Sequence, residues 1–151
     1  MPVAPPTLER FVVRKGLKAV GGVHKALYRA SGGRVGARVA GLPILLLTTT
    51  GSKTGKLRTA PLCFFPDGDD LVVVASNGGM DWFPSWWLNL LREPRATVQV
   101  GRTRRAVMAR PATPQERARL WPHVTAITPV YLKYERRTRR SIPLGILSPV
   151  E

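Results

Sequence analysis

Two strand-forming runs that face each other across a tight polar turn constrain this chain more than any other feature. Ile44 to Leu47 is apolar without interruption, and the run spans Pro43 to Thr50. Leu57 to Phe65 leaves as the second run, and Gly51, Ser52, Lys53, Thr54, Gly55 and Lys56 lie between them. Valine, threonine and aromatic content around a glycine-containing turn reads as a hairpin. The pattern recurs. Pro66-Asp67-Gly68-Asp69-Asp70 is a turn signal, with its three acids read as turn formers. Leu71 to Ala75 reads as a buried strand that ends at Ser76-Asn77-Gly78-Gly79. Arg95 to Val100 and Arg104 to Arg110 pair across Gly101-Arg102, and Ile142 to Leu147 is a last short strand.

Helical patterning is inserted around these hairpins. Thr7 can cap a segment reaching about Ala30, with Leu8, Phe11, Val12, Val20, Val23 and Leu27 at helical spacing and Arg10, Arg14, Lys18, Lys25 and Arg29 elsewhere. Ser31 to Gly41 reads as a linker. Pro84 to Leu91 reads as a short helix with the proline in its first turn. Thr113-Pro114-Gln115-Glu116 is a capping box for a helix expected to end near Trp121, where Pro122 interrupts it. Thr128 to Thr138 continues as helix. The expected fold is α+β: an antiparallel sheet closed into a small barrel, with peripheral helices and an N-terminal basic amphipathic helix. The expected division is residues 1–41 and residues 42–151. A doubly wound dinucleotide fold is disfavoured, because strands and helices do not alternate and no glycine fingerprint opens a helix.

A chain of 151 residues with 44% hydrophobic content forms a core without staples. Its single cysteine, Cys63, excludes an internal disulfide and suits a reducing compartment. Its apolar surroundings suggest a buried small hydrophobe. The two histidines, His24 and His123, have no companions at ligand spacing, so no metal site is expected. The charge is unusual: 24 Lys and Arg against 9 acids, a formal +15. Such a field attracts polyanions and anionic membranes. The cations are scattered and no nucleic-acid motif is present, so nucleic acid is not the expected partner. No run is long enough to span a bilayer, and the N-terminus lacks a secretory signal. The expected place is the cytoplasm, with peripheral contact on the inner membrane face through the basic segment; the oligomeric state is left open.

The turn between the first two strands gathers backbone donors, hydroxyls and cations. It is no Walker loop: only three residues separate Gly51 from Gly55, Leu57 follows Lys56, and no helix opens there. Two readings remain at this level, a solvated hairpin tip and an anion-binding concavity. Proton-transfer residues are scarce elsewhere; no paired carboxylates or nucleophile elbow occur, so in an enzyme the hard electronic step belongs to a cofactor. Three places can line one pocket: Gly51–Arg58, Ala75–Gly79, and Pro84–Asn89, in which Trp86 and Asn89 share a helix face. Adjacent tryptophans cannot share one, so one of Trp86 and Trp87 belongs to the core and the other can wall a planar ligand.

The order of these pieces carries a resemblance. Leu47 to Leu62, then Val74 to Gly79, then Pro84 to Leu90 with Glu93-Pro94, and finally Tyr131, Tyr134, Arg139, Ile142 and Pro143 resemble the deazaflavin-dependent nitroreductase family of actinobacteria. The resemblance extends over nearly the whole chain. It implies a split β-barrel, coenzyme F420 as cofactor, and hydride transfer to an electrophilic acceptor such as a quinone or nitro compound. It also implies roles for residues. Ser52, Lys53, Thr54 and Arg58 take the phosphate, and Thr59, Ala60, Pro61, Leu62 and Cys63 run beside the cofactor. Val74, Ala75, Ser76 and Asn77 flank the deazaflavin ring; Ser85, Trp86, Trp87, Leu88 and Asn89 cover its other part. Tyr131 and Tyr134 stand on the acceptor side and, with Ser76, form the catalytic set. Asn77 and Thr128 depart from nitroimidazole-reducing relatives, which can carry Lys and Tyr there, so bulky nitroimidazoles are poor expected substrates. The competing readings are a non-enzymatic module on anionic membrane or nucleic acid, and a barrel holding flavin mononucleotide or haem.

Overall fold

The computed structural model describes Arg38–Val39 and Leu42–Val150. The basic segment expected over residues 7–30 lies outside the described residues, as does most of the division expected for residues 1–41. Among the described residues, eight strands form: β1 Arg38–Val39, β2 Leu42–Thr50, β3 Leu57–Cys63, β4 Phe65–Asp67, β5 Asp70–Val74, β6 Arg95–Val100, β7 Thr103–Pro111 and β8 Leu144–Pro149. Three helices accompany them, α1 Ser85–Arg92, α2 Pro114–Ile127 and α3 Val130–Arg137, and a 3-10 turn covers Asn77–Gly79. The strands follow the order β1-β2-β6-β7-β8-β5-β4, with β3 against β2 off this path, and every pairing is antiparallel. The architecture is the split β-barrel.

Side-chain alternation along the strands builds two apolar layers. Leu45 and Leu47 of β2 join Val73, Val98, Val107 and Leu147 in one cluster, which Leu90 of α1 helps to close. On the opposite face of β5 and β8, Val72, Val74, Leu144 and Ile146 pack with Leu120 and Val124 of α2 and Tyr131 of α3. β5 and β8 are therefore apolar on both faces, which is why the Leu71–Ala75 run shows no polar alternation. Each such buried aliphatic side chain contributes about 1.5–3 kcal/mol. Gly145 of β8 lets α1 approach: a Cβ there would stand 3.1 Å from Trp87 Cζ3 and 3.1 Å from Val73 Cγ2.

Several element boundaries differ from expectation. The second run does not continue to Phe65. β3 ends at Cys63, and the Phe64 amide donates to the Pro43 carbonyl at 3.2 Å as the chain leaves β2 and turns to pair with β5. The following turn narrows to Gly68 and Asp69, with Asp67 and Asp70 already paired. Asp67 is no mere turn former; its carboxylate receives two bonds from Arg119 at 2.9 and 2.8 Å, which hold it below its ordinary range. β5 stops at Val74, where the Ala75 amide turns to the Pro143 carbonyl. Pro84 precedes α1 as its cap.

The capping box forms as expected: Thr113 Oγ1 accepts from the Glu116 amide, and the Glu116 carboxylate accepts from the Thr113 amide. α2 nevertheless does not stop at Pro122 and runs to Ile127. The proline removes one backbone donor, but Leu120 and Val124, one turn apart across it, are both buried and keep the helix on the sheet. Thr128 is not part of the next helix. It precedes Pro129 and adopts φ −131°, ψ 80°, as pre-proline sterics favour. β8 begins at Leu144, opposite Val74, and not at Ile142.

Candidate functional site

The β2–β3 turn is built to hold its shape while leaving donors outward. The Gly51 amide donates to the Lys56 carbonyl at 2.8 Å, and the Gly55 amide to the Gly51 carbonyl at 2.9 Å. Gly55 has φ 71°, a conformation that favours glycine. Asn89 of α1 ties the turn down. It is buried; its Nδ2 donates to Thr49 Oγ1 at 3.0 Å and its Oδ1 accepts from the Ser52 amide at 2.9 Å. Arg92, one turn further, donates to the Ser52 carbonyl at 2.8 Å. Among the described residues, nothing accepts from the amides of Lys53 and Thr54. Lys53, Lys56 and Arg58 are exposed, and the ion pairs of the described residues lie elsewhere, at Arg110–Glu116, Arg117–Glu135 and Arg119–Asp67. The turn thus presents unengaged amides and unneutralised cations to solvent, which is the chemistry of an anion site.

β3 leaves this turn with a strand partner only on its β2 side among the described residues. Thr59, Ala60, Pro61, Leu62 and Cys63 are all half-buried, so its open edge is a sheltered wall. Thr59 Oγ1 lies 2.8 Å from Thr48 Oγ1. At the far end, Tyr131 of α3 stands beside Cys63, close enough for each to influence the other's titration. Burial pushes both groups above their ordinary values, so each keeps its proton at neutral pH. Cys63 is half-buried, a partner for Tyr131 and not an isolated core hydrophobe.

Tyr131 is buried in an aromatic cluster, 6.3 Å from the Phe65 ring, 6.5 Å from Trp121 and 6.1 Å from Tyr134 between centroids. Tyr134 is half-buried, one turn along α3. α3 touches the Ser76–Gly79 turn closely: a Cβ on Gly79 would stand 3.0 Å from Tyr134 Cα. Val74, Ala75 and Ser76 are buried beneath that turn, and Asn77 Nδ2 donates to the Trp82 carbonyl at 3.1 Å. Of the adjacent tryptophans, Trp87 fills the core and Trp86 is half-buried, meeting it edge-on at 6.1 Å. Ser85 and Leu88 are exposed on the outer face of α1.

The structure therefore joins the turn to α1 through Asn89 and Arg92, β3 to α3 through Cys63 and Tyr131, and the Ser76–Gly79 turn to α3 through Gly79. Ser85, Leu88 and Trp87 do not share that network: two face solvent and one faces the core. Residues not singled out from the sequence complete it. Thr49 anchors Asn89, Arg92 braces Ser52, and Arg140 donates to Ser76, Met80 and Ser141 carbonyls. The signal for Arg92 was its place in the last turn of a helix beginning after Pro84; nothing local marked Arg140. Among the described residues, no cluster of His, Cys, Asp or Glu suits a metal ion.

The family model described as F420H(2)-dependent quinone reductase matches residues 22–149. An F420H(2)-dependent quinone reductase of Mycobacterium tuberculosis strain H37Rv is 42% identical over 130 residues, 83% of this chain and 87% of its own length. Among solved structures, an F420-H2 dependent reductase, FDR-A, gives a TM-score of 0.64 at 36% identity, covering 70% of this chain and 94% of that one. A chain described as a domain-swapped dimer gives 0.67 at 31% identity, covering 93% and 99%.

Proposed function

This chain belongs to the F420H(2)-dependent quinone reductase family, and from that premise we propose how its own residues seat the cofactor and the acceptor. The enzyme transfers a hydride from reduced F420 to a quinone. Bound in its reduced form, the deazaflavin supplies that hydride. The fit to the chain rests on one observation: the Gly51–Lys56 turn, fixed from behind by Asn89 and Arg92, carries free amides at Lys53 and Thr54 and the unpaired cations Lys53 and Arg58. Lys53 acts as a point charge and Arg58 as a bidentate donor for the phosphate of the cofactor's tail, with Ser52 and Thr54 adding hydroxyls.

From that anchor, the open edge of β3 from Thr59 to Cys63 gives the rest of the cofactor a wall. Val74, Ala75, Ser76 and Asn77 seat the ring, and Trp86 covers it. Holding ring and acceptor together replaces a bimolecular encounter by an oriented one. Tyr134 and Ser76 face the acceptor and hydrogen-bond the oxygen that gains negative charge. Tyr131 stands beside Tyr134 in the aromatic cluster and, with its hydroxyl held protonated by burial, fixes the position of that ring. A proton reaches the reduced quinone from Tyr134 or water. The family match places an enzymatic role above a non-enzymatic basic module. Quinones are the preferred acceptors; with Asn77 and Thr128 in place of the Lys and Tyr of nitroimidazole-reducing relatives, bulky nitro compounds are poor ones.

A cytoplasmic enzyme with a lipid-soluble acceptor has a use for its positive charge at an anionic membrane. No helix among the described residues is long and apolar enough to cross one. Anaerobic assay with reduced F420 and a menaquinone analogue tests the whole reading. Expected is saturable cofactor oxidation that falls about tenfold or more in kcat/KM when Lys53 and Arg58 are both changed to Ala, the size of one or two lost charged hydrogen bonds. Turnover that ignores this double change sinks the assignment of the turn.

A further inference from the structure

The turn after β5 has an unusual backbone. Asn77, Gly78 and Gly79 follow one another at φ 46°, 63° and 80°. Glycine takes such angles freely, so the strain of this run falls on Asn77, the residue that bears a side chain. The sole hydrogen bonds of this stretch to itself are short-range: the Gly79 amide to the Ser76 carbonyl at 2.9 Å and the Met80 amide to the Asn77 carbonyl at 3.1 Å. Support from outside comes from the Asn77 Nδ2 bond to the Trp82 carbonyl and from the segment after α3. Arg140 Nη2 donates to the Ser76 carbonyl at 2.9 Å and Arg140 Nε to the Met80 carbonyl at 3.1 Å, so one guanidinium grips the residues on either side of the left-handed run. Its third nitrogen donates to the Ser141 carbonyl at 3.0 Å, and its plane lies over the Phe83 ring, 4.6 Å from the centroid. Thr138 Oγ1 adds a bond to the Met80 carbonyl at 3.1 Å, and the Arg139 amide donates to Asp81 Oδ1 at 2.8 Å.

We propose that Arg140 is a positioning residue for the reaction: by bridging the Ser76 and Met80 carbonyls it sets the left-handed turn that presents Ser76 and Asn77 to the deazaflavin ring. The inference rests on the reading that this turn seats the ring. The role is indirect, because the three guanidinium nitrogens of Arg140 already donate to the Met80, Ser141 and Ser76 carbonyls. A fixed planar fork with several donors meets both carbonyls at once; a lysine ammonium lacks that geometry. Because the same residue follows α3, it also fixes the turn relative to Tyr134.

The test uses the full chain as wild type, Arg140→Lys, Arg140→Met and Lys53→Ala. Each is titrated by ligand fluorescence with oxidised F420 and with the ring-and-ribityl fragment lacking the phosphate, and each is melted without ligand. Arg140→Met is expected to weaken both ligands by the same factor, about tenfold or more, as loss of a charge-assisted bond implies. Arg140→Lys should fall between it and wild type, and Lys53→Ala should weaken F420 while leaving the fragment unchanged. Wild-type affinity of Arg140→Met for both ligands, whatever its melting temperature, overturns the proposal and leaves a structural brace alone. If Arg140→Met does not fold, Arg140→Lys decides, and wild-type affinity there overturns the proposal equally. Failure of the wild type itself to bind F420 removes the functional reading instead.

Discussion

Asn89 shows how one buried amide converts a flexible hairpin tip into a fixed donor array. It satisfies Thr49 Oγ1 and the Ser52 amide together, and removing it leaves both without partners. Asn89→Ala is expected to lower stability by about 1–3 kcal/mol, read by urea unfolding, and to weaken F420 binding although the side chain need not touch the cofactor. From the sequence, the helical spacing with Trp86 was legible, but not that Asn89 looks back across 40 residues to Thr49. Arg140 was less legible still, since its partners are carbonyls, which no side-chain pattern reveals. Glycines give a sharper contrast. Gly78 and Gly79 both have positive φ, but a Cβ at Gly78 meets nothing within 4 Å, whereas one at Gly79 meets the α3 backbone. Gly78→Ala should cost about 1 kcal/mol of backbone strain. Gly79→Ala should cost more and should also displace Tyr134, lowering kcat with the quinone while Gly78→Ala leaves it close to wild type.

At the scale of elements, the hairpins were readable because period-two burial and turn glycines are local properties. The ends were not, because they depend on which partner each strand meets. β3 breaks at Phe64 when its neighbour changes from β2 to β5, and α2 passes through Pro122 because tertiary burial of Leu120 and Val124 outweighs the missing donor. The N-terminus of α2 makes a pH prediction. Arg110, together with the Thr113 amide, lowers the Glu116 carboxyl from 4.5 to about 2. A depressed carboxyl stabilises the fold above its unfolded value and loses that contribution as pH falls toward its folded one. The melting temperature should therefore decline from about pH 4.5 down to about pH 2, and Glu116→Gln should flatten that portion of the curve. Asp67, lowered beside Arg119, adds in the same direction.

For the whole molecule, the alkaline side works with the opposite sign. Tyr131 is raised from 10.0 first by burial, and then by Cys63 and Tyr134. A raised group contributes fully below its unfolded value and loses that contribution as pH rises from there through its folded one. Stability should fall above about pH 10, and Tyr131→Phe should lessen that fall, as thermal melts between neutral and alkaline pH would show. Across the barrel, the Gly51–Lys56 turn stands at one end of β3 and the Cys63–Tyr131 contact at the other. On the proposed reading, charge recognition and acceptor chemistry lie at opposite ends of a single strand. The most direct measurement is the crystal structure of the enzyme with F420. Expected are the phosphate at the Lys53 and Thr54 amides within reach of Arg58, and the ring beyond Thr59 against Ser76 and Trp86. A phosphate held elsewhere, with the Gly51–Arg58 turn empty and facing solvent, would contradict this.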